Sequence, residues 1–139
     1  MKIKNFAMLA MAAGMLAACH SSTKVTMPEN LNDQRVFFAF NSSEISEAAH
    51  ENLLGQAEYM KAHPETKIQI AGNCDERGST EYNLALGARR ANAAKSVIVN
   101  DGIDAKRIST ISYGKERPLV QGTGESVWKW NRNATTTVK

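Results

Sequence analysis

Cysteine and histidine are scarce in this 139-residue chain, and their scarcity excludes several kinds of site. The chain has two cysteines, Cys19 and Cys74, and three scattered histidines, so neither a CxxC motif nor zinc-ligand spacing occurs. No histidine lies close to Cys74 in sequence, and a thiol without a neighbouring base is more often inert than catalytic. We therefore expect no metal, no cofactor and no enzyme activity.

The chain also lacks a large excess of charge and a long hydrophobic run. Its formal net charge is only +3, so a basic protein that binds nucleic acid is not indicated. The apolar run from Phe6 to Ala18 is shorter than the ~20 residues that a membrane-spanning helix needs. Two lysines followed by a short apolar run are typical of a secretory signal peptide, which we assign to residues 1–18. Its removal would lower the formal charge to +1.

The predicted signal peptide ends in "LAAC", which matches the lipobox of bacterial lipoproteins. This resemblance implies that Cys19 is lipidated; the alternative is conventional cleavage after Ala18 and an idle cysteine. Each buried CH₂ contributes ~0.8 kcal/mol, so the three acyl chains of a mature lipoprotein would hold it firmly. By resemblance to lipoprotein sorting rules, His20 after the cysteine favours the outer membrane. We expect a domain that is anchored there by lipid and faces the periplasm.

A flexible tether and one folded domain are expected after the signal peptide. Residues 19–34 are polar and lack periodicity, which is typical of a tether, and the domain is assigned to residues 35–139. Alternation of period two predicts strands, and apolar steps of three and four residues predict helices. The predicted strands are "RVFFAF", "TKIQIAG", "RISTISYG" and "ATTTV", and the predicted helices span about 44–62, 80–100 and the short "ESVWKWNRN".

The order of these elements, βαβαβ(α)β, predicts an α/β (α+β) fold with helices packed on one mixed sheet. Strands separated by helices usually run parallel, so we expect mostly parallel pairing. The first strand has apolar residues on both faces, which predicts a central strand covered on both sides. Ser79 is the predicted N-cap of the second helix, and Gly102 is predicted to end it.

The stretch "GNCDERGSTEYNLALGARRANA", residues 72–93, is the richest in functional side chains. Asp75 follows a predicted strand, where ligands bind in open α/β sheets. Arg90 shares a helical stripe with Asn83 and Leu86, whereas Arg89 points ~100° away from Arg90. Asp75 could accept hydrogen bonds from an ammonium group, and Arg90 could hold a carboxylate with two parallel hydrogen bonds. The alternative is that Asp75 and Arg90 pair with each other, or cap the turn.

Four segments, "VFFAF", "GNCDERGSTEYNLALGARRANAAK", "ISYGKERP" and "NRNA", resemble the OmpA C-terminal-like family, and within it the peptidoglycan-associated lipoproteins of Gram-negative bacteria. The resemblance covers about residues 36–134. It implies a non-enzymatic domain that grips the meso-diaminopimelate of the peptidoglycan stem peptide. Asp75 and Arg90 match the family's ligand-binding aspartate and arginine. The remaining positions that match the lining of the family's pocket are Arg77, Leu86, Phe40 and Asn41.

The same resemblance implies a role in the cell envelope. Such proteins link the outer membrane to the wall, contact the periplasmic propeller protein TolB and take part in the Tol–Pal system, which supports envelope integrity and cell division. The alternative is an OmpA-like periplasmic lipoprotein that acts mainly as a scaffold for protein partners. Asn41 and the unusual C-terminal segment motivate that alternative.

This sequence departs from the family at several positions near the predicted site. The family usually has aspartate, or another small residue, where Ala39 stands, and aspartate where Asn41 stands. Asn73 replaces a commoner histidine, and Cys74 replaces a small residue. Asn133 stands where the family has a second arginine, and two tryptophans lie just before it. These changes put the packing of the last strand in doubt.

Overall fold

A computed structural model describes residues 25–139, so the predicted signal peptide and the predicted lipidation of Cys19 lie outside the described residues. The described part of the chain forms one four-stranded sheet, three α-helices and one short 3₁₀-helix. In chain order the elements are β1 (Gln34–Phe37), α1 (Glu47–Ala62), β2 (Ile68–Asn73), α2 (Thr80–Asn100), a 3₁₀-helix (Ala105–Arg107), β3 (Ile108–Gly114), α3 (Glu125–Asn131) and β4 (Asn133–Val138).

Local sequence signals explain where the two long helices begin and end. The side chain of Ser46 caps α1 by accepting a hydrogen bond from the N–H of Ala49 at 3.1 Å, which places its start three residues later than predicted. Ser79 caps α2 as predicted, by accepting from the N–H of Tyr82 at 3.1 Å. Gly102, with a φ of 107°, follows the end of α2.

The sheet has the strand order β1-β4-β2-β3. Strand β2 pairs in parallel with β3, while β4 lies between β1 and β2 and is antiparallel to both. Strands β1, β2 and β3 therefore run the same way, as the helical crossovers predict, and the antiparallel β4 makes the sheet mixed, which confirms the predicted fold. Strand β4 is antiparallel to β2 because Asn73, at the end of β2, pairs with both Gly114 and Asn133. Residues 115–132 therefore stay at one end of the strands, and β4 runs back along β2.

Strand β1 lies at the edge of the sheet, so the prediction of a central strand covered on both sides is wrong. Val36 and Phe38 are buried, but Phe37 between them is 38% exposed. Its ring packs edge-on against Trp130 with the ring centroids 5.6 Å apart. The apolar residues on the second face therefore meet an aromatic side chain of α3 and solvent instead of a covering layer.

Helices α1 and α2 pack on one face of the sheet and close the hydrophobic core. Buried core residues of the strands include Ile68, Ile70 and Ala134. Those of the helices include Leu53, Met60, Ala91, Ala94 and Ile98. Because side chains alternate along a strand, Gln69, Ala71, Thr135 and Thr137 lie on the opposite face. No helix of the described residues is both long and apolar enough to cross a membrane.

The segment before β1 is packed on the domain, although it has no regular structure. Leu31 is 0% exposed and belongs to the core, and the N–H of Asp33 donates to the carbonyl of Thr136 at 2.9 Å. The carbonyl of Thr26 lies so close to Gly55 that a Cβ there would be 2.4 Å away. These contacts place the start of the packed region before residue 35, so the tether predicted for residues 19–34 has to be shortened at its C-terminal end.

Candidate ligand-binding site

A cavity of about 340 Å³ lies where β1 and β2 end and α2 begins. All six residues predicted from the sequence line it: Phe40, Asn41, Asp75, Arg77, Leu86 and Arg90. Cys74, Gly78, Tyr82 and Asn83 complete the lining. The helical stripe predicted for Asn83, Leu86 and Arg90 is confirmed, since all three are buried and face this cavity, while Arg89 is exposed.

Arg90 is a buried cation that donates hydrogen bonds to three backbone carbonyl groups and lies 5.2 Å from the ring centroid of Phe38. Its side chain is 1% exposed. Three of its five N–H bonds point at carbonyl oxygens: Nε donates to Ser42 at 2.9 Å, Nη1 to Asn73 at 2.9 Å and Nη2 to Ala39 at 3.1 Å. Among residues 25–139 no carboxylate lies within 4.0 Å of it. Burial lowers the pKa of Arg90 from its ordinary value. The cavity therefore has a positive wall without a counter-ion.

Asp75 is buried too, but two arginines already hold it. Arg77 donates to it from the backbone N–H at 3.0 Å, from Nε at 3.2 Å and from Nη2 at 2.8 Å, and Nη1 of Arg132 lies 3.5 Å away. Burial alone would raise the pKa of Asp75, but these hydrogen bonds outweigh it and the net pKa lies below its usual value. The alternative in which Asp75 pairs with Arg90 is wrong, because its partners are Arg77 and Arg132. Asp75 does cap the turn, as the same alternative proposed, by accepting from the backbone N–H of Arg77.

Arg77 forms the outer cover of Asp75. Its guanidinium carbon lies 3.8 Å from the ring centroid of Phe40 and 4.0 Å from that of Trp128, so the cation is enclosed between two aromatic faces. Its side chain is still 31% exposed, compared with 5% for Asp75. Arg77 is thus the movable member of the pair, and it separates Asp75 from solvent.

Arg132 supports the site, although the sequence did not single it out. It is buried, and it donates from Nε to the carbonyl of Phe38 at 2.8 Å and from its two terminal nitrogens to Glu125 at 3.0 and 2.6 Å. Together with its contact to Asp75, these bonds connect β1, α3 and the loop after β2. A signal was present, because this arginine lies in the "NRNA" segment that carries the family resemblance.

Two of the residues that depart from the family pair with each other. Asn73 and Asn133 are opposite one another in the register of β2 and β4, and Nδ2 of Asn73 donates to Oδ1 of Asn133 at 2.9 Å. Strand β4 pairs with β2 over residues 133–138 and with β1 over residues 133–136. The packing of the last strand, which these departures put in doubt, is therefore complete.

Cys74 forms part of the cavity wall as a buried free thiol. Its sulfur donates to the carbonyl of Asn83 at 3.3 Å, and burial raises the pKa of the thiol. Within residues 25–139, no group of three or more metal-binding side chains comes together. The thiol is therefore a poor nucleophile, and its geometry is that of a packing residue.

A larger cavity, of about 400 Å³, lies where the segment before β1 passes over α1. Glu51 is the only charged residue in its lining, so it lacks converging groups of opposite charge. The smaller cavity at the strand ends combines a buried cation and a buried carboxylate, and it is the better candidate for a specific polar ligand.

Comparison with known proteins agrees with this geometry. The profile of the OmpA family matches residues 37–132. A peptidoglycan-associated lipoprotein of Mesorhizobium japonicum is 46% identical over 109 residues, which cover 78% of this chain and 64% of that protein, slightly less than two thirds of its length. The protein of the same name from Pasteurella multocida is 37% identical, with 96% of each chain covered. The crystal structure of a Burkholderia pseudomallei peptidoglycan-associated lipoprotein superposes with a TM-score of 0.75 at 37% identity, covering 77% of this chain and 91% of that one.

Proposed function

This chain belongs to the OmpA family, and from that premise we propose that it is an outer-membrane lipoprotein that binds peptidoglycan without a covalent bond. Its ligand is the diaminopimelate residue of the stem peptide, which presents an ammonium group and a carboxylate on one carbon. Its role is to hold and not to catalyse. In agreement, its relatives are named for an association with peptidoglycan and not for a reaction.

The observation that carries this proposal is the uncompensated charge of Arg90. Burying a cation without a counter-ion is costly, and an anion that enters the cavity removes part of that cost. After the three bonds to carbonyl groups, Arg90 retains two N–H bonds with which to bind a carboxylate. A ligand carboxylate is therefore the group that the cavity selects most strongly.

The ammonium group of the ligand binds to Asp75, and Arg77 has to make room for it. The two oxygens of Asp75 offer about four acceptor positions, and the contacts from Arg77 and Arg132 already use them. Arg77 is the more exposed partner, so it is the one that the ligand displaces. Binding therefore exchanges one cation on Asp75 for another.

The chain enters β1 at the end of the sheet that lies opposite the cavity. The packed segment leads into Gln34, at the start of β1, whereas Phe40 and Asn41 follow the end of β1 and line the cavity. This arrangement supports a link in which lipid on Cys19 holds one end and the wall holds the other. We extend the proposal to the Tol–Pal system, with TolB as a partner, and to a role in envelope integrity during cell division.

Sedimentation with purified peptidoglycan sacculi tests the proposal. Wild-type protein should sediment with sacculi and be released by free meso-diaminopimelate. Asp75→Asn should weaken the affinity for sacculi at least about tenfold, which corresponds to a loss of ~1.4 kcal/mol. Arg90→Ala is a less specific probe than Asp75→Asn, because it also removes the hydrogen bonds from Arg90 to three backbone carbonyls of the fold.

Asp104→Asn is the matched control for that experiment. Asp104 is exposed and caps the 3₁₀-helix, a role that asparagine fills equally well. This variant should bind like the wild type. Equal binding by Asp75→Asn and Asp104→Asn would contradict the assignment of the cavity.

A scaffold for protein partners is the second candidate, and exposed aromatic residues favour it. Phe37, Phe40 and Trp130 are 38%, 58% and 43% exposed, and aromatic side chains are enriched at protein interfaces. The two functions separate in one experiment with purified TolB. If Asp75→Asn no longer binds sacculi but still binds TolB, the protein has both functions and they depend on different residues. If the wild type binds TolB but not sacculi, the scaffold function stands alone.

A further inference from the structure

Arg77 lies between two carboxylates, and it is hydrogen-bonded to only one of them. Its Nη2 is 2.8 Å from Oδ2 of Asp75 and 3.9 Å from Oε2 of Glu125. Among residues 25–139 no third carboxylate comes within 4.0 Å of this guanidinium. The side chain of Asp75 is buried, whereas that of Glu125 is 63% exposed. A short movement toward solvent therefore takes Arg77 from its present partner to a second one.

The two aromatic rings that enclose Arg77 allow that movement. A ring face attracts a cation by its position over the ring and not by a directed bond, so the guanidinium can slide between the rings and stay in contact with them. The indole of Trp128 is held in place, because its Nε1 donates to Oε1 of Glu76 at 3.1 Å. Oγ1 of Thr123 donates to the same oxygen at 2.9 Å and holds Glu76 in turn. A hydrogen bond of the usual ~2.9 Å to Glu125 requires the 3.9 Å separation to close by about 1 Å.

Glu125 is oriented to receive the guanidinium. Nη1 and Nη2 of Arg132 donate to its two oxygens at 3.0 and 2.6 Å and fix the carboxylate beside the site. The hydrogen bonds from Arg132 lower the pKa of Glu125 from its ordinary value, so the group is ionised at neutral pH. A carboxylate has about four acceptor positions, so two remain for a second cation.

Departure of Arg77 opens the acceptor positions on Asp75 that an ammonium group needs. Nε and Nη2 of Arg77 bond to Oδ1 and Oδ2 at 3.2 and 2.8 Å, and both bonds break when the guanidinium moves. The backbone N–H of Arg77 and Nη1 of Arg132 stay on the carboxylate, so Asp75 keeps its orientation. A guanidinium that left without a new carboxylate would lose its charge-assisted hydrogen bonds, and that loss would oppose ligand binding.

We propose that Glu125 is a positioning residue of the ligand site: when the ammonium group of the ligand binds Asp75, Arg77 moves between the two rings and pairs with Glu125. This role of Glu125 rests on the proposed function, because it requires an ammonium ligand on Asp75. Glu125 thereby increases the affinity for the ligand without touching it. Because an exposed ion pair contributes little, the increase is about fivefold at most.

A double-mutant cycle tests the exchange by calorimetric titration with a stem peptide that contains meso-diaminopimelate. Glu125→Gln should weaken the affinity about three- to fivefold in the wild-type background and leave it unchanged in the Arg77→Gln background. A role of Glu125 that acts through Arg132 alone would give the same loss in both backgrounds, and that result would overturn the proposal. Unchanged affinity in Glu125→Gln would overturn it as well.

Glu65→Gln is the matched control for the loss of one negative charge. Glu65 is exposed and precedes the start of β2, whereas the cavity lies at the end of that strand. This variant should bind the peptide like the wild type. A loss equal to that of Glu125→Gln would reduce the effect to the general charge of the protein and contradict the proposal.

The crystal structure of Asp75→Ala tests the second position of Arg77 without any ligand. This variant removes the present partner, so a guanidinium nitrogen of Arg77 should lie within about 3.2 Å of the Glu125 carboxylate while the cation stays between Phe40 and Trp128. An Arg77 side chain that extends into solvent would refute the exchange. If the wild type fails to bind the peptide, the proposed function is wrong, and this structure still decides whether Glu125 offers Arg77 a second position.

Discussion

Replacement of Gly72 by alanine should force α2 away from the sheet. A Cβ at this position would lie 1.7 Å from the carbonyl oxygen of Gly87, whereas real Cβ contacts are essentially never below 3.0 Å, so the backbones must separate by about 1.3 Å. Both contacting groups are backbone within regular elements, and neither can rotate away. Overpacking of this kind costs typically 1–3 kcal/mol, and we expect about 3 kcal/mol here. The corresponding fall in Tm is roughly 12 °C for a domain of this size.

Gly55→Ala provides a matched control for this prediction. Its Cβ would also meet a backbone carbonyl, that of Thr26 at 2.4 Å. Thr26 lies ahead of Asp33, where the segment before β1 makes its backbone hydrogen bond to β4, so this part of the segment can lift. Alanine also favours a helix interior over glycine by about 1 kcal/mol. We expect the free energy of unfolding of Gly55→Ala to lie within about 1 kcal/mol of the wild-type value. Such a difference is small compared with the total stability of a domain.

Circular dichroism during thermal and urea unfolding measures both variants. Gly72→Ala should also bind sacculi poorly at a temperature where it is folded, because α2 carries Arg90 and Leu86 into the cavity. An unchanged Tm in Gly72→Ala, or an equal loss in both variants, would refute the reasoning that α2 is held against β2 by the absence of a side chain.

Three further predictions concern the site. Arg132→Lys cannot reproduce the bonds to Phe38, Asp75 and Glu125 together, so urea unfolding should show a loss of about 1–3 kcal/mol; wild-type stability would contradict this. Because the folded pKa of Asp75 lies below its unfolded value of roughly 3.9, its stabilisation is complete above that pH and is lost as the pH falls through the folded pKa. The stability difference between wild type and Asp75→Asn should thus shrink on acidification below pH ~4, and a constant difference would be evidence against the pairing. Alkylation of Cys74 at pH ~8 should be at least about tenfold slower than that of a small free thiol, and Cys74→Ser should still bind sacculi; rapid alkylation would mean that the thiol is accessible.

The features that depend on neighbouring residues could be predicted from the sequence. The start of α2 at Ser79 and the burial of Arg90 beside an exposed Arg89 follow from capping and helical register. The position of Asp75 after β2 follows from the same local logic, and the cavity there is the one that the six predicted residues line. The six predicted lining residues lie on three short segments whose spacing the resemblance already specified.

The features that depend on contacts between distant residues could not be predicted in the same way. The edge position of β1 results from the insertion of β4 between β1 and β2, which no local pattern encodes. Asp75 is bonded by Arg132, 57 residues away, and Asn73 by Asn133, 60 residues away. Each asparagine looked like an isolated departure in the sequence, and only strand register shows that the two form a pair.

The start of the packed region also depends on such a distant contact. Leu31 lies between two asparagines in a mostly polar segment, whose few apolar residues give no periodic signal. It is fully buried because the core that receives it is formed by elements that follow it in sequence. The sequence therefore predicted a longer tether than the contacts allow.

The central claim is that the buried charge of Arg90 selects a ligand carboxylate. Calorimetric titration of the wild-type protein with two stem peptides, one containing meso-diaminopimelate and one containing lysine in its place, tests this claim without any mutation. Lysine keeps the side-chain ammonium group but lacks the second carboxylate. We predict that the diaminopimelate peptide binds at least about tenfold more tightly, a difference of ~1.4 kcal/mol. Equal affinity for the two peptides would contradict the account.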